Sequence, residues 1–264
     1  MARLERLDVW LEISDLTGIE YFTSLTELYC IGQQLTSLDL SRNATLKRLS
    51  CSSNPLTNLD VSHNTSLEYL SCTNTQLKTL DVSNNTALKW LECSDNQLTE
   101  LDVSNNTALE WLNCGNNQLT ELDVSRSIVL GNLDFRNNQF TMIDVSNNTA
   151  LYSLNCTDNF LTILDVSNNT ELQTFICRNN RLTVLDVSNN PLLQTLDCGD
   201  NRLTTLDVSN NVNLWELACF SNQLTTLDVS HNKKLQYLAC YGNNFSENSG
   251  ITSFNHIDFG LGNP

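Results

Sequence analysis

Basic residues are scarce in this chain: fourteen lysines and arginines stand against thirty acidic side chains, a formal net charge of −16. A surface so short of cations has little with which to neutralise phosphates, which excludes nucleic acid as a partner. Long hydrophobic runs are missing too. No stretch of about 18 apolar residues exists, so no membrane span is expected. The first twelve residues, MARLERLDVWLE, are broken by charges and lack the apolar stretch of a secretory signal. Three prolines and nine glycines are too few for a loop-rich or collagen-like chain. No P-loop, G-x-S-x-G, H-E-x-x-H or dinucleotide fingerprint occurs. The three histidines, His63, His231 and His256, have no nucleophile or orienting acid in sequence context. We therefore expect a non-enzyme. Apolar residues make up 40% of the chain, enough for a packed core.

What is present is a repeat. A unit of 21 residues, L-D-V-S-N-N-T-A-L-x-x-L-x-C-x-x-N-Q-L-T-x, runs without insertion for most of the chain, as in Leu101 to Glu121. Ten aspartates from Asp39 to Asp228 keep the period, and so do ten cysteines from Cys30 to Cys240, with Phe135 in the one slot that lacks a cysteine. A fixed period without slippage means stacked coils of equal length. Each unit has two similar halves, built around L-D-V and L-x-C, and both triplets alternate apolar and polar as half-buried strands do. We expect a mainly β solenoid of about eleven coils, with two parallel sheets back to back and little helix. Asparagines such as Asn85 and Asn96 fall where the chain must turn, and their amides can bond turn backbone.

The unit LDVSNNTALxxLxCxxNQLT resembles a bacterial leucine-rich repeat class with nested 21-residue repeats, over roughly residues 13 to 245. The segment from Ile13 to Leu25 looks like an internalin-type N-terminal cap. The expected division is a cap at 1–24, a leucine-rich repeat solenoid at 25–245 and a C-terminal cap or tail at 246–264. The resemblance implies a binding scaffold, and a secreted or cell-surface protein engaged in adhesion. Cytoplasmic residence is the alternative, given the first twelve residues. A protein partner is expected, and a monomer.

The cysteines read as core. Equivalent side chains in stacked coils lie about 4.8 Å apart and parallel, whereas a disulfide wants Cβ atoms near about 3.8 Å and turned together. No C-x-x-C exists, so zinc-type spacing is absent. The aspartates are harder to place, because carboxylates about 5 Å apart repel by roughly 0.9 kcal/mol per pair even in bulk water. Local hydrogen bonds to Ser or backbone amides offset this in one reading. In the other, calcium does so, with Glu100 beside Asp102 and Glu121 beside Asp123 as the metal candidates.

The outward positions around L-x-C vary from coil to coil, unlike the monotonous Asp and Ser of L-D-V. Tyr69, Trp90 and Trp111 form an aromatic column flanked by Glu92, Asn113, Asp134 and Arg136. Aromatic patches rimmed by polar groups mark interaction sites, although stacked rings also serve as cross-strand stabilisers. These seven residues are the candidate ligand site. A glycan-binding adhesin using the same column is the alternative function. Ice binding on the threonine column, Thr99, Thr120, Thr141 and Thr162, is a more distant one.

Overall fold

The computed structural model describes residues 4–10 and 13–246. The chain divides into two compact units, Met1–Gln139 and Phe140–Pro264, and the division falls inside the one irregular coil. The first unit carries seven three-residue strands: β1 (Arg6–Asp8), β2 (Glu27–Tyr29), β3 (Arg48–Ser50), β4 (Tyr69–Ser71), β5 (Trp90–Glu92), β6 (Trp111–Asn113) and β7 (Asn132–Asp134). The second carries β8 (Ser153–Asn155), β9 (Thr174–Ile176), β10 (Thr195–Asp197), β11 (Glu216–Ala218) and β12 (Tyr237–Ala239). In each unit the strands follow chain order and pair in parallel, one coil out of register: Tyr69 faces Trp90, and Thr195 faces Glu216. The only helical element among the described residues is a short 3-10 turn, Ile19–Tyr21. This is the expected β-solenoid of about eleven turns.

The strands form where alternation meets stacking. In β5 the middle residue, Leu91, is buried with no exposed surface, while Trp90 and Glu92 point outward. The sheet begins earlier than the repeat does, because β1 pairs with β2 at a spacing of one coil, Arg6 opposite Glu27. The segment expected to cap the solenoid thus contributes a strand of its own. Most of the expected C-terminal tail, from residue 247 on, lies outside the described residues.

The second sheet expected at the L-D-V triplets does not form. No strand is assigned there among the described residues, although Val61 and Val82 are as buried as the cysteines. The reason lies in the carbonyls. Val61 O accepts the amide of Asn64 three residues on, at 3.0 Å, and the side-chain amide of Asn85 in the next coil, also at 3.0 Å. With its acceptor committed to the turn and to an asparagine, the backbone has none left for a ladder.

Two asparagine columns hold the coils together. The first includes Asn64, Asn85 and Asn106, whose Nδ2 atoms donate to Leu40 O or a valine carbonyl and to the preceding asparagine's carbonyl at 2.9–3.2 Å. The second includes Asn96, Asn117 and, in the other unit, Asn180. There Nδ2 bridges the carbonyls of two successive cysteines while Oδ1 accepts a leucine amide, as from Leu77 to Asn96 at 3.0 Å. Both turns asparagine was expected to serve are confirmed, with the bonds running between coils as well as within them.

A third column has a conformational cause. The residue two places after each cysteine slot sits in the left-handed region, from Gly32 (φ 67°) through Ser53, Asn74, Asp95 and Asn116 in the first unit to Asp200, Ser221 and Gly242 (φ 67°) in the second. Asn, Asp and Gly tolerate that region better than other residues.

Candidate functional site

All ten cysteines are free and buried, and burial pushes the thiols up, to about 12 at Cys30 and Cys72. They are core, as the spacing indicated. Phe135 and Phe140, the two bulky substitutes of the irregular coil, are each fully buried within their own units.

The aspartate column is held by local hydrogen bonds that favour its charged form. Each of the ten accepts a hydrogen bond at Oδ1 from the backbone amide of the serine two residues on, at 2.8–3.0 Å, as Asp102 does from Ser104 and Asp123 from Ser125. Ser62 and Ser104, through hydroxyl and amide, hold the carboxyls of Asp60 and Asp102 below the ordinary value. Glu100, Asp102, Glu121 and Asp123 are all exposed. Among the described residues, no three His, Cys, Asp or Glu side chains gather closely enough to hold a metal ion.

The aromatic column is assembled by the sheet. Parallel pairing one coil out of register puts Tyr69, Trp90 and Trp111 side by side on β4, β5 and β6. Trp90 and Trp111 stack at 4.2 Å between centroids with 4° between planes, and Tyr69 stacks on Trp90 at 6.1 Å and 27°. The array runs further than the sequence suggested. The Arg48 guanidinium lies over the Tyr69 ring at 4.5 Å, and its Nε donates to the Tyr29 hydroxyl at 3.0 Å. Arg6 in turn lies over Tyr29 at 4.8 Å. Arginine and ring therefore alternate from Arg6 to Tyr69 before the two indoles begin. Arg48 and Tyr29 stand in the outward columns of the repeat, so the signal was there, but a guanidinium on a ring face is a contact that spacing does not announce.

Face-to-face stacking has a consequence for what the column can offer. Both faces of Trp90 and one face of Trp111 are spent on neighbouring rings, and Tyr69 lies between Trp90 and Arg48, so the surface presents mainly edges. Burial in the stack, and then Glu92, raise the Tyr69 phenol. The indole Nε1 atoms of Trp90 and Trp111 are shut off from solvent without an acceptor, and the Oδ1 of Asn132, register partner of Trp111, is in the same state. Unpaired buried polar groups cost about 1–3 kcal/mol each, so their presence calls for an explanation.

The flanking residues divide by role. Glu92 accepts from the Ser71 hydroxyl at 3.0 Å, and Ser71 in turn shares a hydrogen bond with Ser52 at 2.8 Å. Asn113 and Asp134 each close their own turn, accepting the amides of Gly115 and Arg136 at 3.1 Å. Arg136 pairs with Asp134 at 3.3 Å, and its stem passes so close over Gly115 that a side-chain carbon there would lie 3.0 Å from Arg136 Cγ. All seven candidate residues lie on β4 to β7 or immediately after β7. In the second unit, Phe220 stacks with Tyr241 at 5.0 Å and carries Arg178 on its ring at 4.9 Å.

Comparison with known proteins follows the same lines. The chain is similar to the functional domain of InlJ from Listeria monocytogenes, which includes a cysteine ladder: identity is 44%, the TM-score 0.92, and the match covers 93% of this chain and 55% of that one. This chain thus spans little more than half the length of that structure. An internalin, InlF, from the same organism matches at 25% identity and TM-score 0.87, over 93% of this chain and 76% of its own. A leucine-rich repeat protein of Leptospira interrogans shares the fold at 21% identity and TM-score 0.71, over 92% and 78% of the two chains. The LVIVD repeat model matches residues 134–154, 156–176 and 173–193. The last two of these overlap, so that model does not follow the 21-residue coils. No curated protein sequence matches. Among the described residues, no helix is long and apolar enough to cross a membrane.

Proposed function

Because this chain is an internalin-like leucine-rich repeat protein, we propose that it works as a non-catalytic module that binds another protein, in a secreted or cell-surface setting. The face we assign to the partner is that of β3 to β7. The observation that carries the reading is the continuous row from Arg48 through Tyr69, Trp90 and Trp111 on the outward side of the sheet. Aromatic and arginine anchors surrounded by polar neighbours are what protein interfaces concentrate. A partner laid over the ring edges would meet a rigid contact surface already ordered by stacking, at little further cost in side-chain entropy. Arg48 at one end, Glu92 in the middle and the Arg136–Asp134 pair at the other end would set its register.

A glycan laid across this column is disfavoured by the stacking, since a sugar needs an open ring face. The test of the protein reading is capture: immobilised chain is exposed to detergent-solubilised cell-surface proteins, alongside a double variant, Arg48→Glu with Arg136→Glu. Both side chains are exposed, so the variant should fold. A polypeptide retained by the parent and lost by the variant is expected. Equal retention by both would sink the assignment of this face.

A further inference from the structure

In the second unit, the residue that enters each strand is Gln173, Gln194, Trp215 or Gln236, one place before β9, β10, β11 and β12 respectively. Together with Asn213 and Lys234 from the preceding turns, these side chains line an open groove of about 580 Å³, and Leu192 supplies apolar wall. That volume falls in the usual range of small-ligand clefts, roughly 300–1,000 Å³.

The groove's polar groups are mostly uncommitted. Gln194 Nε2 reaches Gln173 Oε1 at 3.4 Å, Lys234 Nζ donates to Asn213 Oδ1 at 2.7 Å, and Asn213 Nδ2 donates to Pro191 O at 3.0 Å. The Gln194 Oε1, the Gln173 Nε2, the whole Gln236 side-chain amide and the Trp215 indole N–H are left for a ligand. Trp215 is 43% exposed, and among the described residues its ring has no stacking partner, unlike those of Trp90 and Trp111. It offers the open face that the other column has lost.

Charge narrows the ligand further. In a chain with a net charge of −16, none of these lining side chains is acidic, so a cation would find no counter-charge. The one lysine is already engaged by Asn213, which leaves little for an anion. What remains is a neutral molecule with many hydroxyls and an apolar face. Side-chain amides repeated one coil apart, about 4.8 Å, suit a ligand that itself repeats. An extended peptide would instead seek a free strand edge, and these strands are paired on both sides from β9 to β11.

We propose that this groove binds a neutral oligosaccharide, laid along the coils with one sugar ring against Trp215 and its hydroxyls on the Gln173, Gln194 and Gln236 amides. The site is separate from the β3–β7 face and does not depend on the protein-binding reading.

The test titrates the whole chain with maltohexaose, cellohexaose and chitohexaose, read by tryptophan fluorescence and calorimetry. Saturable millimolar-or-tighter binding of at least one is expected, insensitive to added salt. Trp215→Ala should weaken it by about tenfold or more, Trp215→Phe by less because a ring remains, and Trp10→Ala not at all. An unchanged urea midpoint in Trp215→Ala would attribute the loss to the ligand contact. No saturable binding of any of the three, or binding that survives Trp215→Ala, would overturn the proposal. So would Trp215-dependent capture of reduced, unfolded casein in place of the sugars, which would make the groove a peptide site.

Discussion

Asn84 and Asn85 are identical in chemistry, adjacent in sequence and opposite in circumstance. Asn84 is exposed and makes one long bond, 3.3 Å, to Ser62 O. Asn85 is fully buried and supplies the donor for two carbonyls of the coil before it. Asn85→Ala should therefore cost about 2 kcal/mol, the penalty of stranding buried acceptors, while Asn84→Ala stays within about 0.5 kcal/mol. Urea unfolding of the two variants checks this, and equal effects would deny the ladder its role. Gln34 gives the reverse case: it is exposed, yet its backbone sits at φ 62°. Gln34→Gly removes that strain and should stabilise by up to about 1 kcal/mol, visible as a raised melting temperature.

At the scale of the element, the aromatic stack behaves as a unit with a middle and an end. Trp90 has a ring on each side, whereas Tyr69 has a ring on one side and Arg48 on the other. With each ring pair worth about 0.5–1.5 kcal/mol beyond burial, Trp90→Ala should cost about 2 kcal/mol and Tyr69→Ala about half that. Comparable losses would mean that the rings act singly. The strands beneath them were legible in the sequence because leucine and cysteine recur with outward residues between. The second sheet was not foreseeable as absent, since L-D-V alternates in the same way as L-x-C. Alternation reports which way side chains face and says nothing about whether the backbone carbonyls are already taken, as Val61 O is. The groove around Trp215 escaped for a related reason. Its residues precede the alternating triplet, and their outward direction is set by the turn from Asn211 to Leu214. The left-handed column, in contrast, could have been read from the Ser, Asn, Asp and Gly that fill the second place after each cysteine slot.

At the scale of the whole molecule, the thiols tie stability to alkaline pH. Burial holds Cys30 and Cys72 neutral up to about 12, against an ordinary value of 9.0, and raises Cys51, Cys93 and Cys177 as well. The unfolded chain would lose its thiol protons from about pH 9, before the folded one does. This contribution is therefore complete below pH 9 and is lost as pH rises from 9 towards 12. The urea midpoint should fall steeply across that window, and Cys93→Ala should lessen the slope at some cost in packing. A midpoint flat to pH 11 would show the thiols to be ionised in the folded state. The negative charge has a different standing. The ten column aspartates supply ten of the sixteen net negative charges, and each is bonded to its own turn, so the acidity belongs mainly to the coil and describes a ligand poorly.

Coils that are near copies of one another raise a problem of counting. A chain that slipped by 21 residues while folding would seat leucine on leucine and cysteine on cysteine, losing little except at its ends. Phe135 prevents that from passing unnoticed, because its ring is fully buried in a column otherwise made of thiols. Out of step by one coil, it would have to enter a space shaped for a much smaller group, an overpacking cost of about 1–3 kcal/mol, with Phe140 adding to it in the leucine column. The odd coil is in this sense a phase mark, a place where a periodic chain can tell which turn it is on, as Phe175 in the inner leucine column is another.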